Sequence, residues 1–244
     1  LLIVGQRDEA ILAMLGVAAV ALAAQYAPGG AQVWALTRTP PDSAERRFWE
    51  KVQAAAPASI RLAAGGAADN VWPALAAELD RRLADPAQAE QAPPWFLVLH
   101  ELHKFRELRQ EDEFALSLDT DKTGTEPAGV FRRLIEEGPA HGMHVICSCD
   151  SVSSLGRFLS RKLQGEFEMR VAFQMSANDS AVLIDSPQAN LLGLHRAVLF
   201  DGREGILETF RPYALPADAW LEQAASALAR RKSHHRPDSE STAA

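Results

Sequence analysis

Two rhythms of apolar residues take turns along the chain. Short continuous apolar runs read as buried strands: "LLIVG", "AQVWALT", "SIRLA", "WFLVLHEL", "MHVICSC" and "MRVAFQM". Between them lie longer stretches with apolar residues three or four apart, the spacing of a helix face. These are residues 8–25, "PPDSAERRFWEKVQAAA", "DNVWPALAAELDRRLADP" and "PAGVFRRLIEEGPAHG", then a broken helix over "SVSSLGRFLSRKLQGEF". In the third, Leu75, Leu79 and Leu83 mark one face and Asp69 fits the N-cap. Gly138 and Pro139 stop the fourth. "AEQAPP" reads as a polar, Pro-rich linker, residues 104–125 as a charged irregular stretch, and "NDSAVLID" as a short helix. "RAVLFD" and "GILETFRPY", joined by "GREG", predict a hairpin. "PADAWLEQAASALARRK" is the last helix, and "SHHRPDSESTAA" has the composition of a disordered tail.

Strands that alternate with helices predict an α/β fold. We expect three αβα layers, a mainly parallel sheet covered on both faces, and an antiparallel hairpin at one edge. One such domain spans residues 1–231, followed by a polar tail over 232–244. Ligands on such sheets bind beyond the carboxyl ends of the strands. That rule singles out Gly5 to Glu9, His100 to His103, and Cys149 to Ser151.

Composition narrows the picture. The chain has 244 residues, 47% of them hydrophobic, enough for one large domain with its own core. Its formal net charge of −7 does not favour nucleic acid, a local basic strip aside. The Ala-rich stretch 10–26 is short for a membrane span and predicts a buried helix. No signal peptide opens the chain, which starts inside a strand, so a piece of a longer polypeptide is expected. The two cysteines, Cys147 and Cys149, share one strand face, read as small buried residues rather than a disulfide, and suit the cytosol.

The opening "LLIVGQRDEAIL" has the form of a phosphate-binding strand, loop and helix. A working loop follows G-x-x-x-x-G-K-[ST]: glycine lets the backbone wrap the phosphates, Lys neutralises their charge, and the hydroxyl binds Mg²⁺. Gly5 fits the first position, and Gln6, Arg7, Asp8 and Glu9 follow. Ala10 then replaces the second glycine, Ile11 the Lys and Leu12 the hydroxyl. Asp8 and Glu9 add two carboxylates that repel a triphosphate. The second strand end, "FLVLHEL", places Glu101 where an ATPase keeps its general base, and His100 where it keeps a metal-holding Asp. Neutral imidazole is a poor Mg²⁺ ligand, since that ion prefers oxygen. The third, "HVICSCDSV", offers Ser148, Asp150 and Ser151 as γ-phosphate sensors, a task to which acidic Asp150 is ill suited.

Other candidates carry less. "HELH" spaces His100 and His103 three apart, not as H-E-x-x-H, and with His141 and His144 no metal site is expected. "HKFRELRQEDEF" reads as a solvated helix or a contact surface; its mixed charge argues against DNA tracking. Arg157, Arg161 and Lys162 form the best basic patch of the folded part, diluted by Glu166 and Glu168, and "ARRKSHHR" is a basic tail segment. Spacing supports no Ser-His-Asp or Cys-His catalytic arrangement, and Asp150 disfavours a Cys149 thiolate.

The block "EGPAHGMHVICSCDSVSSLGRFLSRKLQGEFEMRVAFQMSANDSAVLIDSP", continued by "LLGLHRAVLFDGREGILETFRPYALP", resembles the FtsK/SpoIIIE branch of P-loop motor ATPases. Gly142, His144, Arg170, Phe173, Ser176, Asp179, Ser180, Asp185, Leu192 and Gly193 match its pattern, while the Arg that often follows "D-S" is Ala181. The resemblance spans about residues 1–216 and rests on motifs over 137–216. It implies a RecA-like domain of an ATP-driven translocase of DNA, or of protein in type VII secretion, and the "FRPY" ending looks like a degenerate last motor domain. The expected function is therefore a structural or regulatory pseudo-ATPase module. Two alternatives stand beside it: a composite site that receives Glu101 or Arg170 in trans, and a partner-peptide module. No cofactor is expected in this domain, with ATP and Mg²⁺ in a neighbouring one. The expected partners are other motor domains of the same chain or ring, and DNA for the full protein.

Overall fold

The computed structural model describes residues 1–110 and 126–233. Eight strands form one sheet in the order β3-β2-β4-β5-β1-β6-β7-β8. These are β1 (Leu2–Val4), β2 (Gln32–Thr37), β3 (Ile60–Ala64), β4 (Trp95–His100), β5 (Met143–Cys149), β6 (Met169–Phe173), β7 (Ala197–Asp201) and β8 (Ile206–Phe210). The strands from β3 to β6 run parallel, and β7 and β8 close the edge as an antiparallel hairpin. The mainly parallel αβα sheet and its edge hairpin are as the sequence pattern predicts.

Strand periodicity sorts the core into two layers. Ile3, Val33, Val98, Ile146 and Val171 face α1 (Asp8–Gln25) and α2 (Ala44–Ala55). Leu2, Val4, Leu97, Leu99, Cys147 and Ala172 face the opposite way. Packed on that side are α3 (Trp72–Ala84) and, beyond the short α4 (Pro86–Gln91), α5 (Pro127–Glu136), α6 (Val152–Leu155), α7 (Arg161–Gly165) and α8 (Ala177–Ile184). The last helix, α9 (Asp218–Ser233), lies beside α2, where Lys51 reaches Asp218 at 2.6 Å and Leu221 joins the first layer. By length and composition alone α1 is long and apolar enough to cross a membrane. Here its Ile11, Leu12, Leu15, Ala19 and Val20 are buried against the sheet and α2.

Three local expectations are corrected. Asp69 does not cap α3; it lies in a 3-10 turn over Gly65–Val71 and pairs with Arg38, while α3 starts at Trp72 with Pro73 in its first turn. "AEQAPP" is not all linker, because Pro86–Gln91 forms α4, whose Gln88 N–H donates to the Asp85 carboxylate at 3.1 Å. "HKFREL" is not a solvated helix. Two 3-10 turns, Leu102–Lys104 and Arg106–Leu108, bury Leu102, Phe105 and Leu108 in the second layer. Most of the charged stretch, and the expected tail beyond residue 233, lie outside the described residues.

Candidate functional site

The loop after β1 is three residues long, Gly5 to Arg7. Gly5 is pinned when its N–H donates to the Cys149 carbonyl at 3.0 Å. The helix then begins at Asp8, two positions ahead of the point where a phosphate loop carries its second glycine. The Ile11 N–H donates to the Arg7 carbonyl at 2.9 Å, so the backbone winds where a cradle of free N–H groups is needed. Ile11 and Leu12 are buried in the core, which leaves Asp8 and Glu9 exposed at the helix start, with Gln6 exposed and Arg7 and Ala10 half-buried. The two carboxylates satisfy the helix dipole themselves.

At the end of β4, His100 is 2% exposed. Its Nδ1 accepts from Trp49 Nε1 at 3.4 Å and lies 3.3 Å from Thr37 Oγ1. Indole N–H only donates, so Nδ1 carries a lone pair and the ring is neutral with its proton on Nε2. Burial holds the His100 pKa down to about 4. This imidazole joins α2 to β2 and β4 as a neutral core group. Thr37 and Trp49, which the sequence reading missed, are its partners; a Thr closing β2 level with His100 is the signal that points to them.

Glu101 stands in the left-handed region at φ +64°, a conformation that costs a non-glycine residue about 1–2 kcal/mol. Two hydrogen bonds hold it, with an imidazole nearby. Its N–H donates to Ser148 Oγ at 2.9 Å, Lys104 Nζ donates to its carboxylate at 2.6 Å, and His103 Nε2 lies 4.0 Å from Oε1. Ser148 is thus fully buried and engaged by the backbone. Asp150 and Ser151 follow β5, where Ser151 caps α6 through the Ser154 N–H at 3.1 Å. Cys149 is buried 3.5 Å from Asp150 Oδ1, and burial pushes its thiol up to about 12. Four carboxylates, Asp8, Glu9, Glu101 and Asp150, therefore stand along the carboxyl ends of β1, β4 and β5, where a phosphate ligand needs cations.

The structure brings Gly5 to Glu9, His100, Glu101, His103 and Asp150 to one edge of the sheet. It leaves the other candidates elsewhere. His144, paired in register with Phe96 and stacked on it at 5.3 Å, lies near the start of β5, about 13 Å along the sheet from His100, so the four His do not meet. Arg170 pairs with Leu2 at the amino end of β1, away from the Gly5 end. Its guanidinium donates to the carbonyls of Phe167 at 2.9 Å, Leu183 at 3.0 Å and Gly165 at 3.3 Å, and lies over Phe200. An apolar cleft of about 360 Å³, lined by Tyr26, Ala55, Pro57 and Leu228, also lies at the opposite end of the sheet.

No protein-family model matches the sequence, and no curated protein does. Solved structures do match in shape. The cytoplasmic domain of the Thermomonospora curvata type VII secretion ATPase EccC superposes with a TM-score of 0.61 at 18% identity, over 91% of this chain and 27% of that one. Thermomonospora curvata EccC (ATPases 2 and 3) in complex with a signal sequence peptide gives 0.62 at 16% identity, over 97% and 43%. The cytoplasmic domain of EssC gives 0.53 at 11% identity, over 96% and 44%. The chain thus spans less than half the length of each. At such identities the likeness is one of architecture, and the architecture is the RecA-like fold of P-loop ATPase domains.

Proposed function

We propose that the chain is a catalytically degenerate FtsK/SpoIIIE-type domain, a structural or regulatory module of a larger cytoplasmic translocase of DNA or protein. One observation carries the reading: α1 begins at Asp8 and takes Ile11 and Leu12 into the core. The positions that need a phosphate-binding cation and a metal-binding hydroxyl are thereby filled with hydrocarbon. His100, neutral and bonded to Trp49, leaves the metal-holding carboxylate unreplaced. The similar EccC and EssC structures are more than twice as long, and one of them holds EccC ATPases 2 and 3, which supports a place beside other motor domains that bind ATP and Mg²⁺. Titration of ATP with Mg²⁺ into the 244-residue chain tests the reading by calorimetry and phosphate release. The expected result is neither heat of binding nor turnover; micromolar affinity with turnover overturns it.

The alternatives find less support. In a composite site Glu101 or Arg170 would act on a neighbour's nucleotide, yet Lys104 holds the one and backbone carbonyls hold the other. A peptide-recognition role draws on the EccC structure in complex with a signal sequence peptide. An emptied phosphate pocket around Ala10, Ile11 and Leu12 would suit it, but Ile11 and Leu12 fill that space themselves.

A further inference from the structure

Where β4 and β5 end, three side chains of metal-binding chemistry converge. His103 comes from the 3-10 turn after β4, Cys149 closes β5, and Asp150 follows it. Cys149 Sγ lies 3.5 Å from Asp150 Oδ1, His103 Nδ1 lies 3.6 Å from the same oxygen, and all three donor atoms fall within 4.8 Å of one another. An ion with four tetrahedral ligands at about 2.0–2.3 Å spaces its donors roughly 3.3–3.8 Å apart. Two of the three separations already fit, and a small rotation of the His103 side chain brings in the third.

His103 adds a second observation. Its Nδ1 is buried and makes no hydrogen bond, the distance to Asp150 being too long for one. A buried polar atom without a partner is uncommon and asks for a reason. The opposite ring nitrogen, Nε2, faces Glu101 Oε1 at 4.0 Å, and Lys104 fixes that carboxylate at 2.6 Å. At 4.0 Å the Glu101 carboxylate makes no hydrogen bond to His103, but a shift of about 1 Å would bring it to where a carboxylate orients a metal-bound imidazole.

We propose that His103, Cys149 and Asp150 form a binding site for a divalent transition-metal ion of the zinc class, with Glu101 orienting His103 from behind. The donor set selects the metal. Sulfur and imidazole suit zinc or cobalt, whereas Mg²⁺ wants six oxygens and would gain only one here. Coordination displaces the Cys149 proton to solvent, and the thiolate so formed balances the double charge together with the Asp150 carboxylate. Three protein ligands leave a fourth position for water or for a side chain of a partner. The site lies beyond the carboxyl ends of the strands, where α/β sheets bind ligands, and it does not depend on whether ATP binds.

Cobalt(II) is the probe, because tetrahedral cobalt absorbs in the visible and a cobalt–thiolate bond adds a near-ultraviolet band. Titration of Co²⁺ into the reduced chain should give both signals at one equivalent, and Zn²⁺ should displace them. His103→Ala and Asp150→Asn should weaken Co²⁺ binding at least tenfold, and Glu101→Gln should weaken it by about ten- to a hundredfold. Cys149→Ser should abolish the near-ultraviolet band, while Cys147→Ser, the other buried thiol, should keep it. His103→Ala and Asp150→Asn alter partly exposed side chains, so they test the site even if the cysteine variants fold poorly. No cobalt signal in the wild-type chain, or undiminished binding by His103→Ala, overturns the proposal.

Discussion

A Cβ placed on Gly5 would lie 2.5 Å from the Cβ of Phe173. Gly5 follows β1 and Phe173 closes β6, the two strands pair in parallel, and Phe173 is buried in the layer that holds α1. Gly5 also has φ +149°, where an L side chain is strained whatever the space around it. Its glycine is therefore required by the packing as well as by any ancestry in a phosphate loop. Gly5→Ala should cost about 2–4 kcal/mol in urea unfolding, from strain plus overpacking. Adding Phe173→Gly, which removes the Cβ that is struck, should recover part of the overpacking but none of the strain, so the double variant should be more stable than the sum of the single losses predicts.

His100 predicts an acid sensitivity. Burial sets its folded pKa at about 4, below the ordinary 6.5; Glu101 and Glu45 pull it up and Lys104 and His103 push it down. Between those values the unfolded chain binds the extra proton, so this group's contribution is intact above about pH 6.5 and declines as pH falls toward 4. The loss should reach about 2 kcal/mol by pH 5, at roughly 1.4 kcal/mol per pH unit. His100→Asn, which keeps an acceptor for Trp49 but does not titrate, should flatten that slope in unfolding curves at pH 7 and pH 5. An equal slope in both proteins would place the acid sensitivity elsewhere.

Arg170→Ala separates a structural role from a catalytic one. The guanidinium is largely buried, satisfies three carbonyls, and lies 3.9 Å from Asp185. Its removal should cost about 2–4 kcal/mol. Arg170→Lys should recover less than half, since an ammonium cannot reproduce the fork. In the larger motor that we propose contains this chain, the ATPase rate per folded molecule should be unchanged; a fall by orders of magnitude would restore Arg170 as a residue supplied to a neighbour's nucleotide.

The strand–helix alternation and the hairpin were legible because buried strands and amphipathic helices leave different periods in the sequence. Ile11 and Leu12 were legible too as residues that cannot do the chemistry of Lys and Ser, which is what the proposed degeneracy rests on. What periodicity could not show was how backbone and polar groups settle at the carboxyl ends of the strands. Asp69 looks like a helix cap until Arg38 claims it. Arg82 sits on a helix with no mark to set it apart, yet it is fully buried, bonding Glu78 at 2.7 Å and the carbonyls of His141 and Pro93. His103, Cys149 and Asp150 lie 46 residues apart in sequence at the nearest approach of their two segments (149 − 103), and only the pairing of β4 with β5 brings them together. Long-range polar contacts of this kind leave no local period.

Ile11 provides the sharpest test of the proposed loss of phosphate binding. If the site had lost only its cation, Ile11→Lys would help to restore it. The structure predicts the opposite. Ile11 is 4% exposed within the layer between α1 and the sheet, and its N–H is already bonded to Arg7. A Lys there must bury an ammonium or unwind the first turn of α1, so the variant should lose about 3–5 kcal/mol in urea unfolding. It should bind ATP no better than the wild-type chain in calorimetry, because the backbone still lacks a cradle. Adding Ala10→Gly and Leu12→Ser supplies the remaining residue types but leaves Asp8 and Glu9 at the helix start, so this triple variant should also fail to bind. Tight ATP binding by Ile11→Lys alone would mean that the loop opens far more readily than its packing implies.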